Sequence, residues 1–500
     1  MNAALRQLVT DTFESACIDK SLYSSSGLNE QSIPVFVGEW LIDRQLKGGA
    51  WTDEVRQKVI EFVRKYIPTK DEVEDLKQRL RSGDLVLVLE YVSPRVNLER
   101  DQAALESGSL GNQKVQVEGY LLEKYPRLLK GGMWGLASYQ YRRNEKKGGG
   151  EVWLTDFKPL QANHIDVDDY VAKRRAFDRE QWTQLLINSL GYNAEGKGYT
   201  TDKTRLALLT RLIPFVQRRV NLFELAPKGT GKSFLFGQFS RYSRLIEGGA
   251  VSPAVLFYHE TSGIPGLFTQ FDLVVFDEAQ TLSFSNPDVT VAKLKGYLEQ
   301  GKYSKGKFTV AADAGAVFLA NVQIGANGRP THERNLFGEM PSLLQETALL
   351  DRIHGLLPGW DLPRMSVDTL SKGVGLKADY LGEIFHALRF RLEYDEYVEQ
   401  RQHLIGSRDF RDVRAILRLS AGFLKLLFPD LTTVEEQEFI DYCLKPAIKL
   451  RQALRDQLHY LDPEFPGYEI RLQDGGPSQM EHPIVSVEDE LGDEVSEPTM

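Results

Sequence analysis

Two glycines, two lysines and two hydroxyls stand close together in Ala226-Pro-Lys-Gly-Thr-Gly-Lys-Ser233. Residues of these types in this order can wrap a chain of phosphates. A glycine-rich turn lets backbone N–H groups approach the anion, and a helix starting at its end presents a positive pole. Pro227, Lys228, Gly229, Thr230 and Gly231 would form the cradle. Lys232 would meet the β- and γ-phosphates, and the Ser233 hydroxyl would hold Mg²⁺. The first position departs from the strict pattern, since Ala226 stands where glycine is usual. Downstream, the apolar run Leu273-Val-Val-Phe276 ends in Asp277-Glu278. A buried strand delivering two carboxylates at its end suits a Mg²⁺-dependent hydrolase: Asp277 would bind the metal and Glu278 would polarise the attacking water. A further apolar run, residues 316–320, ends in Asn321, a side chain able to orient that water. A glycine-rich turn with unrelated acids downstream would account for any one of these features. Three on successive strands imply binding of ATP with Mg²⁺, and Glu278 argues for its hydrolysis.

Other charged residues carry weaker signals. Arg352 follows Asp351 and precedes a strand-like segment, so it could reach the γ-phosphate of a neighbouring subunit, although a lone arginine is ordinarily a solvated surface residue. Arg411, in the helical stretch 409–428, could be a second phosphate sensor, with Arg408, Arg414 and Arg418 as rivals. In Gly301-Lys-Tyr-Ser-Lys-Gly-Lys307, the residues Lys302, Tyr303, Lys305 and Lys307 could follow a nucleic-acid backbone without sequence preference. A solvated basic turn accounts for the same residues. Arg142, Arg143, Lys146 and Lys147 form a second basic tip, and Lys173-Arg-Arg175 a third, each readable as plain charged surface. The histidines have no metal-like spacing; His259 beside Glu260 is isolated, and His354, two residues from Arg352, reads as a residue that packs or hydrogen-bonds.

The elements that must position these groups follow from periodicity and punctuation. Residues 1–82 read as a helical N-terminal region: Val55, Val59, Phe62, Val63 and Tyr66 share a face before Pro68, and a second amphipathic stretch ends at Gly83. Residues 83–162 are β-rich, with strands expected at 84–92, 113–120, 133–141 and 151–157. These suit a small antiparallel barrel, OB-like in character. Residues 163–200 form a helical linker, opened by a capping box of Asp178 and Gln181. From 201 to 363 strands alternate with helices, and the strands at 221–225, 254–258, 273–276 and 316–320 are continuously apolar. That pattern implies an α/β core with a parallel sheet covered on both faces. Residues 364–462 form a helical lid, strongest at 377–398, 409–428 and 434–458, and 463–500 an acidic tail.

The quoted strings resemble a known family. Pro227-Lys-Gly-Thr-Gly-Lys-Ser233, Phe276-Asp-Glu278, Asp351-Arg-Ile-His354 and Pro358-Gly-Trp-Asp361 are similar to the BrxL proteins of BREX phage-defence systems. Leu129-Lys-Gly-Gly-Met-Trp134, Asp156-Phe-Lys-Pro-Leu160, Leu190-Gly-Tyr-Asn193, Arg211-Leu-Ile-Pro214 and the stretch 219–225 extend the likeness upstream. Ala421-Gly-Phe-Leu-Lys-Leu-Leu-Phe-Pro429 extends it downstream. The resemblance implies an AAA+ ATPase akin to MCM-type helicases and Lon-like ATPases. It further implies a hexamer or stacked double hexamer, bound to DNA and acting with other phage-defence proteins. It places Arg352 at the finger position, Arg411 at the second-sensor position and the 301–307 segment in a hairpin pointing into the pore. Many members carry a Lon-type protease domain with a Ser–Lys dyad; here only a short segment and the tail follow the lid, so no protease activity is expected of this chain. A protein unfoldase serving a separate protease and a nucleotide-switched scaffold on DNA stand as alternatives to a DNA motor or clamp.

Bulk properties bound the rest. Five hundred residues exceed one hydrophobic core, so two or three domains are expected. The formal charge of −9 is concentrated at the C-terminal end: residues 481–500 carry Glu481, Glu488, Asp489, Glu490, Asp493, Glu494 and Glu497 and no basic residue. The acidic balance therefore does not argue against a nucleic-acid partner. Two cysteines, Cys17 and Cys443, exclude a disulfide framework and suit a reducing cytoplasm. No signal peptide or membrane-spanning run is apparent, so a cytoplasmic protein without a membrane partner is expected.

Overall fold

The computed structural model describes residues 1–473 apart from 29–32, 47, 98–100, 130–131, 145–148, 161–164, 197, 260–263 and 306–307. Five strands form a wholly parallel sheet in the order Gly355–Pro358, Asn221–Ala226, Gly315–Asn321, Leu273–Phe284 and Ser243–Val251. Every residue of Asn221–Ala226 is buried, as is all of Gly315–Asn321 except its last residue. Their largely apolar character follows, because both faces are covered; the exceptions within Asn221–Ala226 are the buried Asn221 and Glu224. The Asn321 strand lies between the other two chemistry-bearing strands, with Asn321 opposite Ala226 and Phe318 opposite Phe276. All three therefore deliver their polar ends to one edge, where open α/β sheets place their ligands.

One expected strand is corrected. Residues 254–258 do not join the sheet. Ser252 accepts the Val255 N–H through its side chain and Pro253 opens a helical turn, Pro253–Leu256. The fifth strand is Ser243–Val251 at the sheet's edge, half exposed and carrying Arg244, Glu247, Gly248 and Gly249. An edge strand of this composition lacks the apolar run that marks its interior neighbours.

The β-rich region forms a six-stranded mixed sheet in the order Val86–Val92, Met133–Asn144, Gly149–Pro159, Gln113–Val117, Gln102–Ser107 and Arg95–Asn97. The all-antiparallel expectation fails at one pair, since Gln113–Val117 runs parallel to Gly149–Pro159. The chain makes that possible by leaving Val117 through helix Gly119–Lys124 and one further strand before it returns. The two outermost strands are separated only by Ser93 and Pro94, so both ends of the sheet belong to one bent stretch of chain. Val88, Leu105, Val115, Tyr139, Leu154 and Phe157 fill the interior, closed by Leu76 and Leu80 of helix Val73–Ser82.

The N-terminal helices do not stand apart. Strand Cys17–Asp19 pairs with Val374–Leu376, and Leu5, Val9, Phe13, Val37 and Leu41 share one core with Leu381, Phe385 and Phe423. A buried ion pair, Lys20 Nζ to Glu39 Oε1 at 2.6 Å, fixes the junction, and Glu39 Oε2 accepts the Ala378 N–H at 2.8 Å. After residue 363 the main helices are Ala378–Leu388, Glu393–Glu399, Phe410–Leu427 and Lys445–Leu461, the last entered through helix Glu436–Phe439 and a π-turn at Ile440–Leu444. The expected continuous helix over 377–398 breaks at Arg389. That buried side chain instead donates to the carbonyls of Pro214 and Asp313, each at 2.6 Å. The tail begins later than residue 463: Arg471–Leu472 pairs with Ile405–Gly406, and Tyr468 Oη donates to Asp412 Oδ2 at 2.6 Å. Residues 474–500 lie outside the described residues. Among those described, no helix is long and apolar enough to cross a membrane.

Candidate nucleotide-binding site

Strand Asn221–Ala226 runs directly into the glycine-rich loop. Gly229 and Gly231 take φ of 83° and 75°, a left-handed conformation that glycine adopts without strain. Helix Lys232–Gln238 then starts with Gly231 at its N-cap and no side chain capping it. The loop is held from behind. Arg211 donates to both Glu224 oxygens, at 3.0 and 2.5 Å, and to the Thr230 carbonyl at 2.9 Å. Arg211 and Glu224 are both buried. Burial opposes the Arg211 cation, but Glu224 outweighs it and keeps its pKa raised. From the outer side, the Met365 N–H donates to the Gly229 carbonyl at 2.7 Å and Tyr192 Oη to that of Gly231 at 3.3 Å. A Cβ on Gly231 would lie 2.5 Å from Tyr192 Oη and 2.6 Å from Met365 Sδ, so the loop admits only glycine there.

The polar ends of the three strands meet. Lys232 Nζ donates to Asn321 Oδ1 at 2.6 Å, and Asn321 Nδ2 lies 2.8 Å from each Glu278 oxygen. Gln280 completes the arrangement, donating to Glu278 and accepting the Asn321 N–H at 3.2 Å. Glu278 has φ 49°, a strained value for a non-glycine residue, and its N–H is held by Asp277 Oδ1 at 2.9 Å. Asp277 is buried while Glu278 is exposed. Burial pushes the Lys232 ammonium below its ordinary pKa, against the opposing pull of Glu224, Asp277 and Glu278.

This donor set fits ATP and Mg²⁺. A cation at the loop's end, an uncapped helix start and open space beside Gly229 suit a polyphosphate; the half-buried Ser233 hydroxyl and the Asp277 carboxylate suit a hard divalent cation. Pro227 and Thr230 are buried within the loop, and Lys228 and Gly229 face solvent.

Arg352 and Arg411 are not part of this cluster. The Arg352 carbonyl accepts from Asn221 Nδ2 at 3.1 Å, so it sits where the loop strand begins rather than ends. At about 3.3 Å per residue, the strand separates it from the loop by roughly 17 Å. Arg352 Nε lies 3.2 Å and Arg411 Nη2 3.3 Å from Glu299 Oε2, and Arg411 Nη1 donates to Asp351 at 2.6 Å. His354 is buried, accepts the Asn221 N–H at Nδ1 and has its pKa pushed well down by burial and by Arg418. It packs, as its sequence context suggested. No group of three or more metal-type side chains occurs among the described residues.

The basic candidates divide. Strands Lys302–Lys305 and Phe308–Ala311 form an antiparallel hairpin with Lys302 exposed. Tyr303 is corrected: it is 5% exposed and its hydroxyl donates to the Phe257 carbonyl at 2.8 Å, so it anchors the hairpin and offers nothing to a ligand. Phe308 is instead the exposed aromatic, at 74%. Arg142 and Arg143 are exposed near the end of Met133–Asn144, with Arg142 paired to Glu118 at 2.6 Å and stacked over Trp153. Lys146, Lys147 and Lys307 lie outside the described residues, as does the Lys305 side chain. The sequence did not reveal Arg211, Glu224, Tyr192 and Met365 as supports of the loop, or Gln280 as the partner of Glu278 and Asn321. Leu190-Gly-Tyr-Asn193 and Arg211-Leu-Ile-Pro214 were visible as strings without an assigned task.

Comparison with known proteins matches this architecture. Residues 152–471 match the family described as Lon-like protease BrxL-like, ATPase domain, and residues 11–141 match BREX system Lon protease-like protein BrxL N-terminal. A curated Lon-like protease BrxL from Escherichia coli O9:H4 (strain HS) is 29% identical over 469 residues, covering 93% of this chain and 66% of the relative. One from Bacillus cereus (strain H3081.97) is 28% identical over 471 residues, covering 92% and 68%. The chain thus spans about two thirds of the length of these curated relatives. With a parallel-sheet ATPase core and a preceding N-terminal region that each match in order, the chain belongs to the BrxL family.

Proposed function

We propose that this chain is a Mg²⁺-dependent AAA+ ATPase that assembles as a ring on DNA, as motor or clamp, and acts in defence against phage. The observation that carries the ATPase reading is the Lys232–Asn321–Glu278 chain at the ends of three adjacent parallel strands. In it Lys232 would neutralise the β- and γ-phosphates, Asn321 would hold the carboxylate in place, and Glu278 would take a proton from the attacking water. Mg²⁺, held by Ser233 and Asp277, would supply charge stabilisation on the phosphate oxygens. The position of Arg352 and Arg411 supports a ring. They lie at the far edge of the sheet from their own loop, so a γ-phosphate they touch must belong to a neighbour. Strand pairing supports the OB-like reading of residues 83–162: the two edge strands, Val86–Val92 and Arg95–Asn97, belong to one bent stretch of chain, and Gln113–Val117 runs parallel to Gly149–Pro159. Such barrels bind oligonucleotides through loops including the last hairpin, which here carries Arg142 and Arg143. The helices after residue 363 would serve as the lid.

Phe308 favours a second reading. An exposed aromatic at a pore hairpin grips unfolded polypeptide, and a protein unfoldase would use it so. Steady-state ATP hydrolysis with double-stranded DNA, single-stranded DNA or casein separates the two. Stimulation by DNA alone supports the DNA-acting ring; stimulation by casein alone replaces it with the unfoldase; indifference to all three points to a nucleotide switch.

A further inference from the structure

One carboxylate outside the nucleotide site gathers an unusual number of cations. Glu299 lies within 4.0 Å of Arg352, Arg411 and Arg414, and its side chain is only 25% exposed. Among the described residues Arg352 pairs with no other carboxylate, whereas Arg411 has Asp351 as well. Glu299 also occupies a mechanical junction. It is the penultimate residue of helix Pro287–Gln300, three residues before the basic hairpin begins at Lys302. The junction is stiff: the Glu299 carbonyl accepts Arg219 Nη2 at 2.9 Å, Gly301 N–H donates to Tyr297 at 2.7 Å, and Ala312 N–H donates to Gly301 at 2.9 Å. Buried Tyr303 ties the hairpin's first strand to Phe257. A displacement of the hairpin is therefore passed to the helix end that carries Glu299.

We propose that Glu299 is a positioning residue that latches Arg352 and Arg411 away from a neighbouring subunit's nucleotide until the hairpin is engaged by DNA. Held on one carboxylate, the two guanidiniums are charge-compensated and directed along their own surface. Withdrawal of Glu299 leaves Arg352, Arg411 and Arg414 with Asp351 as the remaining acid at the cluster, so a γ-phosphate becomes the better partner. The latch rests on the trans-acting reading of Arg352 given above, and it makes hydrolysis respond to what occupies the pore.

The test compares ATP hydrolysis by the assembled wild type, Glu299→Gln, Glu299→Asp and Arg352→Ala, each with and without double-stranded DNA, with DNA affinity measured in parallel. Glu299→Gln is expected to raise basal kcat about 5-fold at unchanged KM, equivalent to a latch of about 1 kcal/mol. The same variant should bring the DNA-stimulated to basal ratio close to one and leave DNA affinity unaltered. Glu299→Asp, which keeps the charge, should recover part of the DNA response. A merely structural role would lower activity in both states and leave the ratio alone. A Glu299→Gln enzyme stimulated as strongly as wild type overturns the latch. If Arg352→Ala hydrolyses normally, or wild type ignores DNA, the underlying reading fails and the latch falls with it.

Discussion

The buried pair behind the phosphate loop gives the most quantitative prediction. Replacing Arg211 with leucine leaves the Glu224 carboxylate inside the protein without its ion-pair partner, and frees the Thr230 carbonyl. Neither side chain reaches solvent: their exposures are 0% and 2%. Removing one partner of such a pair costs about 3–5 kcal/mol, because a desolvated charge is left uncompensated. At roughly 2–4 °C per kcal/mol for a domain of this size class, the melting temperature should fall by about 6–20 °C. The double variant Arg211→Leu/Glu224→Leu removes both charges, and buried pairs replaced by apolar residues are often neutral in stability, so most of the loss should return. Nucleotide affinity should not return, since Thr230 still lacks its tether. Thermal unfolding and titration with a non-hydrolysable ATP analogue on the same samples read both effects. A single variant within about 1 kcal/mol of wild type, or a double variant that regains nucleotide affinity along with stability, would refute the assignment of Arg211 as the loop's support.

Further outcomes follow from the same geometry. Lys232→Ala removes the cation from the cradle and should abolish nucleotide binding, measured by equilibrium titration. Asn321→Ala should keep nucleotide binding but lower kcat, on the order of 100-fold, because Glu278 loses the side chain that grips both its oxygens. Lys425 is fully buried, 3.7 Å from Asp395, and burial pushes its pKa down to about 8. Its unfolded value is near 10.4, so the folded chain binds fewer protons between the two and stability should rise as pH increases from about 8 to 10.4. Lys425→Met should be more stable than wild type at pH 7 by up to about 3 kcal/mol and lose that pH dependence, as urea denaturation at a series of pH values would show. Lys302→Ala should weaken DNA binding at all sequences alike and lower its salt dependence, read by titration at several ionic strengths.

The legibility of this molecule in its sequence follows burial. Leu273-Val-Val-Phe276 and residues 316–320 announce themselves because strands covered on both faces are dominated by apolar residues, and Asp277 and Asn321 then stand out at their ends. The edge strand Ser243–Val251 escapes the same test, since one side faces solvent and glycines interrupt it. Tyr303 illustrates a different limit: a tyrosine among lysines reads as a ligand contact, yet its ring packs on Phe257 and its hydroxyl finds a backbone acceptor. The supports of the loop lie far from it in sequence. Tyr192 and Met365 reach Gly231 and Gly229 from segments on either side of the core, and no local pattern records such meetings. The cluster around Glu299 is the same kind of case, with Arg352 from one segment and Arg411 and Arg414 from helix Phe410–Leu427 brought to one acid on a third. Residues 83–162 show alternation clearly enough to expose the strands. The parallel pair and the bend at Ser93-Pro94 are properties of pairing, which alternation does not encode.

The most direct test of the account is single-turnover and steady-state ATP hydrolysis by Glu278→Gln beside wild type, with Mg·ATP binding measured on both. The account predicts that the variant binds Mg·ATP as tightly as wild type while its hydrolysis falls by a factor of about 10² or more, the range expected for loss of a general base. Hydrolysis at the wild-type rate would contradict it and remove Glu278, and the Lys232–Asn321–Glu278 chain with it, from the chemistry.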